Sequence, residues 1–584
     1  VFLKRAHYKG FVSVLTAESV EKRRTAVKCV AVKAGENPIG FIWLSISVAI
    51  LKLCWVECEA AMTHFEMKPG EDVSLESLFV RLKALRARIL GETQTELQSI
   101  DVQTNDDGRL FSLHNLLNYQ VMRRENLHAL QSGLAAAGLS SLGRVEPHVL
   151  SNIDAVLNVL SLAVDGVAYV PEKAEWCLGY EAGYHALQKR AGRLFGARPE
   201  NRSEYILVTL PSEAADHPAL VESLLAAGMN CARINCAHDN DQAWSKMVRH
   251  IRGQAKALGV SCPVLMDLAG HKIRTGDIQT GQAASQKTRE KFASGQKGQK
   301  GVYPKIHRHD KVLLCRDKAR FSEMEAVFGL SVHAMVTVTC PDVIAMVSIG
   351  DSVWFDDGKM GGEVVDKRDE ALLIDMTQVG PGGVRLKPEK GLNFPNTDLA
   401  LPTLSDKDEH DLDFVCQHAD MVGLSFTECA EDVLRLHNRM REKGVEPLPI
   451  LAKIETAKAV RQLPTILAVG LARNIELGVM LARGDLAVEL GSVRMAGVQD
   501  QILRVCEAAH IPVVWATQVM ESFVKDGRIS RPEITDAAMS QRAECVMLNK
   551  GPYITEAVRL LSDVLQKMES QQFKSHTHMD VLQL

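Results

Sequence analysis

The stretch 450-ILAKIETA-457 has the apolar residues of a buried strand, yet it carries Lys453 and Glu455 two positions apart. On a strand that spacing puts both side chains on one face. Two buried charges on one face are costly unless they pair with each other or serve a bound group. The reading of the whole chain depends on what lies around this strand.

Outward from it, short apolar runs alternate with longer amphipathic ones from residue 203 onward. The strand candidates are 205-YILVTL-210, 230-NCARINC-236, 263-PVLMDL-268, 420-DMVGLSF-426, 449-PILAKIE-455, 478-GVMLARGDL-486, 512-PVVWATQ-518 and 545-CVMLNK-550. Helical stretches such as HPALVESLLAAG and TEAVRLLSDVLQKMES follow them. Strand–helix alternation repeated eight times predicts an α/β fold, a (βα)8 TIM barrel. Polar residues then collect at strand C-terminal ends: Arg233 and Asn235, Asp267, Lys453 and Glu455, Asp485, and Thr517. Barrels of this kind build their active sites on that rim. Any one of these residues would be read more safely as a structural ion pair or cap; their convergence on one rim is the stronger signal.

Between residues 277 and 388 the composition changes to alternating, turn-rich runs such as DKVLLC, DSVWFDDG and ALLIDMTQV. These predict a small all-β domain inserted beside the active rim, the place for a lid. Its basic loop, residues 287–311, lacks the phosphate-loop spacing. It reads as a solvated loop, with contact to nucleotide phosphates as the alternative.

The expected organisation is a leader (1–66), an N-terminal helical region (67–202), the barrel in two parts (203–276 and 389–570) around the lid (277–388), and a tail (571–584). The apolar run 39-IGFIWLSISVAIL-51 is too short to span a bilayer. A translation start near Met62 or Met67 is the preferred account of the leader, with a signal-peptide core as another. In the helical region, Ser74 is the expected N-cap and Gly91 the expected stop of the first helix. His114, His128 and His148 read as packing or surface residues, and 576-HTHMD-580 as a disordered tail rather than a metal site. A net charge of −4 gives no reason to expect nucleic acid as a partner, and no segment predicts membrane insertion. Thirteen cysteines without CxxC pairs imply reduced thiols and a cytoplasmic protein.

The motifs GMNCARINCAHD, MDLAGHKIRTG, KGLNFPN, LSDKDEHDL, ILAKIETA, LARGDLAVE and PVVWATQVMES resemble, in the same order, those of pyruvate kinase. The resemblance covers about residues 203–570 and implies transfer of the phosphoryl group of phosphoenolpyruvate to ADP, with Mg²⁺ or Mn²⁺. It implies Glu455 and Asp485 as metal ligands, and Lys453, Thr517 and Arg233 as catalytic residues. Gly484, Asp485, Thr517 and Lys453 would bind substrate; Arg233, Arg274 and Lys390 would bind nucleotide and transferring phosphates. Two carboxylates plus substrate oxygens suit Mg²⁺, and an ammonium beside the migrating phosphoryl group suits the charge developed there.

The departures are informative. Ala237, Leu268, Ala269, His271 and Lys272 stand where the family has Ser, Thr, Lys, Pro and Glu. The monovalent-cation region thus reduces to Asn235, Asp267 and Lys272. A lysine in place of that glutamate matches potassium-independent members, so K⁺ is expected not to be required. The expected assembly is a homo-oligomer through the barrel. The resemblance also leaves two alternatives: a catalytically weak member that binds phosphoenolpyruvate or nucleotide and regulates a partner, and a metal-dependent enolate lyase on a similar barrel.

Overall fold

The computed structural model describes residues 74–171, 177–293, 303–368, 370–574 and 576–577. The leader expectations and the middle of the basic lid loop lie outside these residues. Eight parallel strands close into a barrel: β1 (Tyr205–Thr209), β2 (Cys231–Asn235), β3 (Val264–Asp267), β4 (Met421–Leu424), β5 (Ile450–Ile454), β6 (Leu477–Ala482), β7 (Val513–Ala516) and β8 (Cys545–Leu548). Closure is made by Tyr205 pairing with Cys545 in parallel register. The strands are rich in Val, Ile, Leu and Met and almost wholly buried, as a parallel sheet covered by helices requires.

The inserted segment forms a seven-stranded sheet running from Thr275–Thr280 to Leu392–Asn393, around a core that includes Val312, Val336, Phe355 and Ile374. It is not purely β: helices Gln286–Ala293 and Phe321–Phe328 belong to it. Phe321, Met324 and Phe328 recur at helical spacing and are buried against the sheet.

The N-terminal region contributes α1 (Leu75–Gln98), α2 (Asp107–Met122), α3 (His128–Ala136), α4 (Val149–Val164) and α5 (Tyr180–Phe195), and the barrel continues with α6 (Pro218–Ala227), α7 (Asp241–Leu258), α8 (Asp406–His418), α9 (Ala430–Glu442) and α10 (Ala457–Ala472). Ser74 caps α1 as expected, its hydroxyl accepting from the Ser77 amide. Gly91 does not end it. The run ETQTELQ that follows favours helix strongly enough to offset a glycine penalty of about 1 kcal/mol. Of the three histidines, His148 is buried, His114 is half-buried and His128 exposed. The tail reading is corrected in part. Gln572–Phe573 and His576–Thr577 pair as a short hairpin, and between them Lys574 is buried with its ammonium on Glu544.

Among the described residues no helix is long and apolar enough to cross a membrane. The described cysteines are free thiols.

Candidate active site

Adjacent strands deliver the first group of side chains. Asn235 pairs with Asp267 across β2 and β3, and Gly423 of β4 lies beside Asp267 on its other side. A Cβ on Gly423 would fall 2.5 Å from Asp267 Oδ1, so a glycine there is what admits the carboxylate. Arg233 Nε donates to Asp267 Oδ2 at 2.9 Å, its Nη2 donates to the same oxygen, and its Nη1 donates to Thr209 Oγ1 at 2.9 Å. Lys453 Nζ lies 3.6 Å from Asp267 Oδ2 and 3.2 Å from Glu455 Oε1, and donates to Ser425 Oγ at 2.7 Å. Lys453 and Glu455 therefore do share a face.

This cluster is buried: Asp267 is 1% and Glu455 3% exposed. Burial alone would raise the Asp267 carboxyl, but Lys453 and then Arg233 override it and hold it below the usual carboxylate range. Burial likewise opposes the Lys453 ammonium, and Asp267 and Glu455 more than restore it, so its pKa is raised. Glu455 is raised by burial, against the pull of Lys453 and with a further push from the Asp485 charge. Lys453 is thus a fixed cation, and Glu455 a carboxylate crowded by another.

A second group sits where β6 ends. The sequence predicts this strand through Leu486; the structure ends it at Ala482 and starts α11 (Arg483–Leu490) there. Asp485 lies in that helix's first turn, and its Oδ1 accepts from Lys272 Nζ at 2.8 Å. The amide of Gly484, a residue expected to bind substrate, donates to Thr517 Oγ1 at 2.8 Å. Thr517 follows β7 in a left-handed conformation (φ +65°), as do Gln518 and Met520. Such backbone persists where surrounding contacts fix it. Arg483 supplies them: Nη2 donates to the Thr517 carbonyl at 2.7 Å and Nε to that of Ala516 at 3.2 Å. Its guanidinium also forks onto Asp536 and stacks 4.3 Å from the centre of the Trp515 ring.

The expected monovalent-cation region divides. Lys272 joins Asp485 and approaches the lid's Asp357 at 3.7 Å. Asn235 Oδ1 instead accepts from the Ala237 amide at 3.1 Å. Asp267 Oδ1 is buried without a hydrogen-bond partner among the described residues. The other two phosphate-binding candidates, Arg274 and Lys390, stand where the inserted segment leaves and rejoins the barrel. Arg274 Nη1 donates to the Glu389 carbonyl at 3.1 Å, and Lys390 Nζ pairs with Asp356 at 3.2 Å. Thr209, Ser425, Gly423 and Arg483 escaped sequence reasoning. Arg483 lies inside a quoted motif, and Thr209, Gly423 and Ser425 lie inside quoted strands, but a positioning role leaves no spacing signal.

Among the described residues no three His, Cys, Asp or Glu side chains gather as a metal cage. Glu455 nonetheless feels the charge of Asp485. Two carboxylates completed by substrate oxygens and water suit Mg²⁺, which seldom takes a closed protein cage.

The family profile "Pyruvate kinase, barrel domain" matches residues 201–303 and 305–558. Pyruvate kinase 1 of Trypanosoma brucei brucei is 30% identical over 386 residues, 65% of this chain and 69% of that protein. The pyruvate kinase of Agrobacterium vitis is 29% identical over 383 residues, 64% and 71% respectively. That of Bacillus licheniformis is 29% identical over 364 residues, with 61% of this chain and 55% of the relative covered. With this match over more than half of its length, and with the closed eight-stranded barrel, the chain belongs to the pyruvate kinase family.

Proposed function

We propose that this protein transfers the phosphoryl group of phosphoenolpyruvate to ADP, giving pyruvate and ATP, with Mg²⁺ or Mn²⁺ and without a potassium requirement. The observation that supports this most is the buried ammonium of Lys453 set between Asp267 and Glu455 on the barrel rim. A fixed cation there stabilises charge on the migrating phosphoryl group and on the enolate oxygen it leaves. Arg233, held by Asp267 and Thr209, orients the transferring phosphate; Arg274 and Lys390, on the hinge, face the nucleotide phosphates. Glu455 and Asp485 would hold the divalent ion, which supplies positive charge to the substrate's oxygens. Thr517 accepts from Gly484, leaving its own O–H to serve in protonating the enolpyruvate carbon. Lys272 takes the part of the monovalent cation by placing positive charge beside Asp485. Free cysteines are in keeping with a cytoplasmic location, and assembly is through the barrel.

A second reading, a member that binds ligand without efficient turnover, has one observation in its favour: Lys272 and Thr517 already occupy Asp485 and the Gly484 amide. A coupled assay of pyruvate formation decides between them. Turnover that hardly changes when potassium is replaced by tetramethylammonium at equal ionic strength supports the first reading. No pyruvate above background overturns it, and strong activation by potassium removes the role given to Lys272.

A further inference from the structure

Where the inserted segment leaves and rejoins the barrel, residues 271–273 and 392–403 border a cavity of about 500 Å³, a common size for a metabolite site. The start of α10 and Glu489 of α11 form its other side. None of Arg233, Asp267, Lys453, Glu455, Asp485 or Thr517 lines it.

Most of the charges around this cavity are spent on one another. Lys458 pairs with Asp398 at 2.8 Å and Glu428 at 3.2 Å, and Lys272 turns to Asp485. Asp432 accepts the Thr403 hydroxyl and the amides of Glu428 and Cys429. Two opposite charges remain. Glu489 is half-buried, and among the described residues no cation lies within ion-pair distance of it; the Asn393 amide is 3.5 Å away. Burial pushes its carboxyl up to about 7, and the charges of Glu428 and Asp485 add to that against the pull of the Asn393 and Ala457 amides. Arg461 is exposed, and among the described residues no carboxylate lies within ion-pair distance of its guanidinium. It stands one turn beyond Ala457 on α10, about 6 Å along the axis and on the same face.

A carboxylate lacking a cation and a guanidinium lacking an anion therefore border one cavity. A simple anion would meet Glu489, and a simple cation would meet Arg461; a molecule that carries both charges meets each with its opposite. Leu399, Leu401 and Phe426, all half-buried, supply an apolar wall. We propose that this cavity binds a small zwitterion of the α-amino acid class, with its ammonium on Glu489, its carboxylate on the Arg461 fork and its side chain against that wall. Glu489 lies one turn beyond Asp485 on α11, so the ligand's ammonium settles on the helix that carries a proposed metal ligand. Both passages of the chain between barrel and lid line the cavity, so occupancy bears directly on the lid's attachment.

The test is binding to the intact chain, which needs no turnover and so stands or falls separately from the phosphotransfer reading. Calorimetric titrations at pH 8 would use glycine, L-valine, L-leucine and L-glutamine. Isoamylamine and 4-methylpentanoate, which are leucine without its carboxylate and without its ammonium, serve as single-charge arms. Saturable binding of at least one amino acid is expected, with both single-charge arms about tenfold or more weaker. Glu489→Gln and Arg461→Ala should each weaken the amino acid by a similar factor, as loss of a charged hydrogen bond dictates. If Glu489→Gln fails to fold, the Arg461 variant decides. Three results overturn the proposal: no saturable binding of any amino acid, as for a merely hydrated cavity; binding that either folded variant leaves unchanged; or a single-charge arm that binds as tightly as the amino acids.

Discussion

Lys453 touches Asp267, Glu455 and Ser425 at once, so its loss reaches three side chains. Lys453→Met should lower kcat by two orders of magnitude or more, since such charge stabilisation is commonly worth about 3 kcal/mol. The fold should survive, because Arg233 still neutralises Asp267. Circular dichroism alongside steady-state kinetics checks both halves; near-normal turnover would remove Lys453 from the mechanism. The proposed metal ligands are tested without turnover. Glu455→Gln and Asp485→Asn should each weaken Mn²⁺ binding measured by paramagnetic relaxation, since each removes an anionic ligand from a site with few. Unchanged affinity in both would make the pair structural. Lys272→Glu should lower activity, because it sets a second carboxylate against Asp485. Added potassium should rescue it only weakly, given Ala237 and Leu268 at neighbouring positions; full rescue would refute that account.

At the scale of elements, the loop after β7 depends on α11. Arg483→Gln loses the fork onto Asp536 and frees the left-handed Thr517 backbone from its clamp. The expected result is a fall in kcat with KM for phosphoenolpyruvate little changed; an unaltered kcat would show that the loop holds itself. The eight strands were legible because each pairs an apolar run with polar residues at its end. The end of β6 was not: ARGDL has the composition to continue either as strand or as helix, and the contact of Gly484 with Thr517 that accompanies the turn is thirty-three residues away in sequence. The side chains of the site were legible as residue types, since Arg, Asp, Lys and Glu in strands demand partners. Their pairing was less so. Lys272 joins Asp485 rather than Asn235 because the hinge carries it toward α11, which local sequence does not encode. Lys574 in the tail was missed for the same reason; its partner Glu544 is buried at the far end of the barrel from the site.

At the scale of the molecule, the N-terminal helices are bound into the barrel by polar clamps. Arg109 donates to the Ile475 carbonyl and pairs with Glu476, Asn115 donates to the Ala508 carbonyl, and Arg190 donates to the carbonyls of Ala509 and His510. Arg190→Met should destabilise the chain by about 3 kcal/mol and keep one unfolding transition, since it strands buried carbonyls on the barrel side. Two separate transitions in calorimetry would show that the helices fold apart from the barrel. Stability should also depend on pH from both directions. Burial drops His510 to about 3, so the unfolded chain binds the extra proton and stability falls as pH drops below about 6.5. Burial lifts Glu204 to about 8, so stability falls as pH rises from about 4.3 toward 8, and Glu204→Gln should flatten that limb of a melting-temperature profile. An unchanged alkaline limb would mean that Glu204 is not held neutral. The central claim, phosphoryl transfer on this rim, is tested most directly by following phosphorus NMR of phosphoenolpyruvate, ADP and Mg²⁺ with the purified chain. The account predicts loss of the phosphoenolpyruvate signal with matching growth of the ATP γ-phosphate signal, and neither change with Lys453→Met. Phosphoenolpyruvate that stays intact with the unmodified chain, or is lost to inorganic phosphate without ATP, would contradict it.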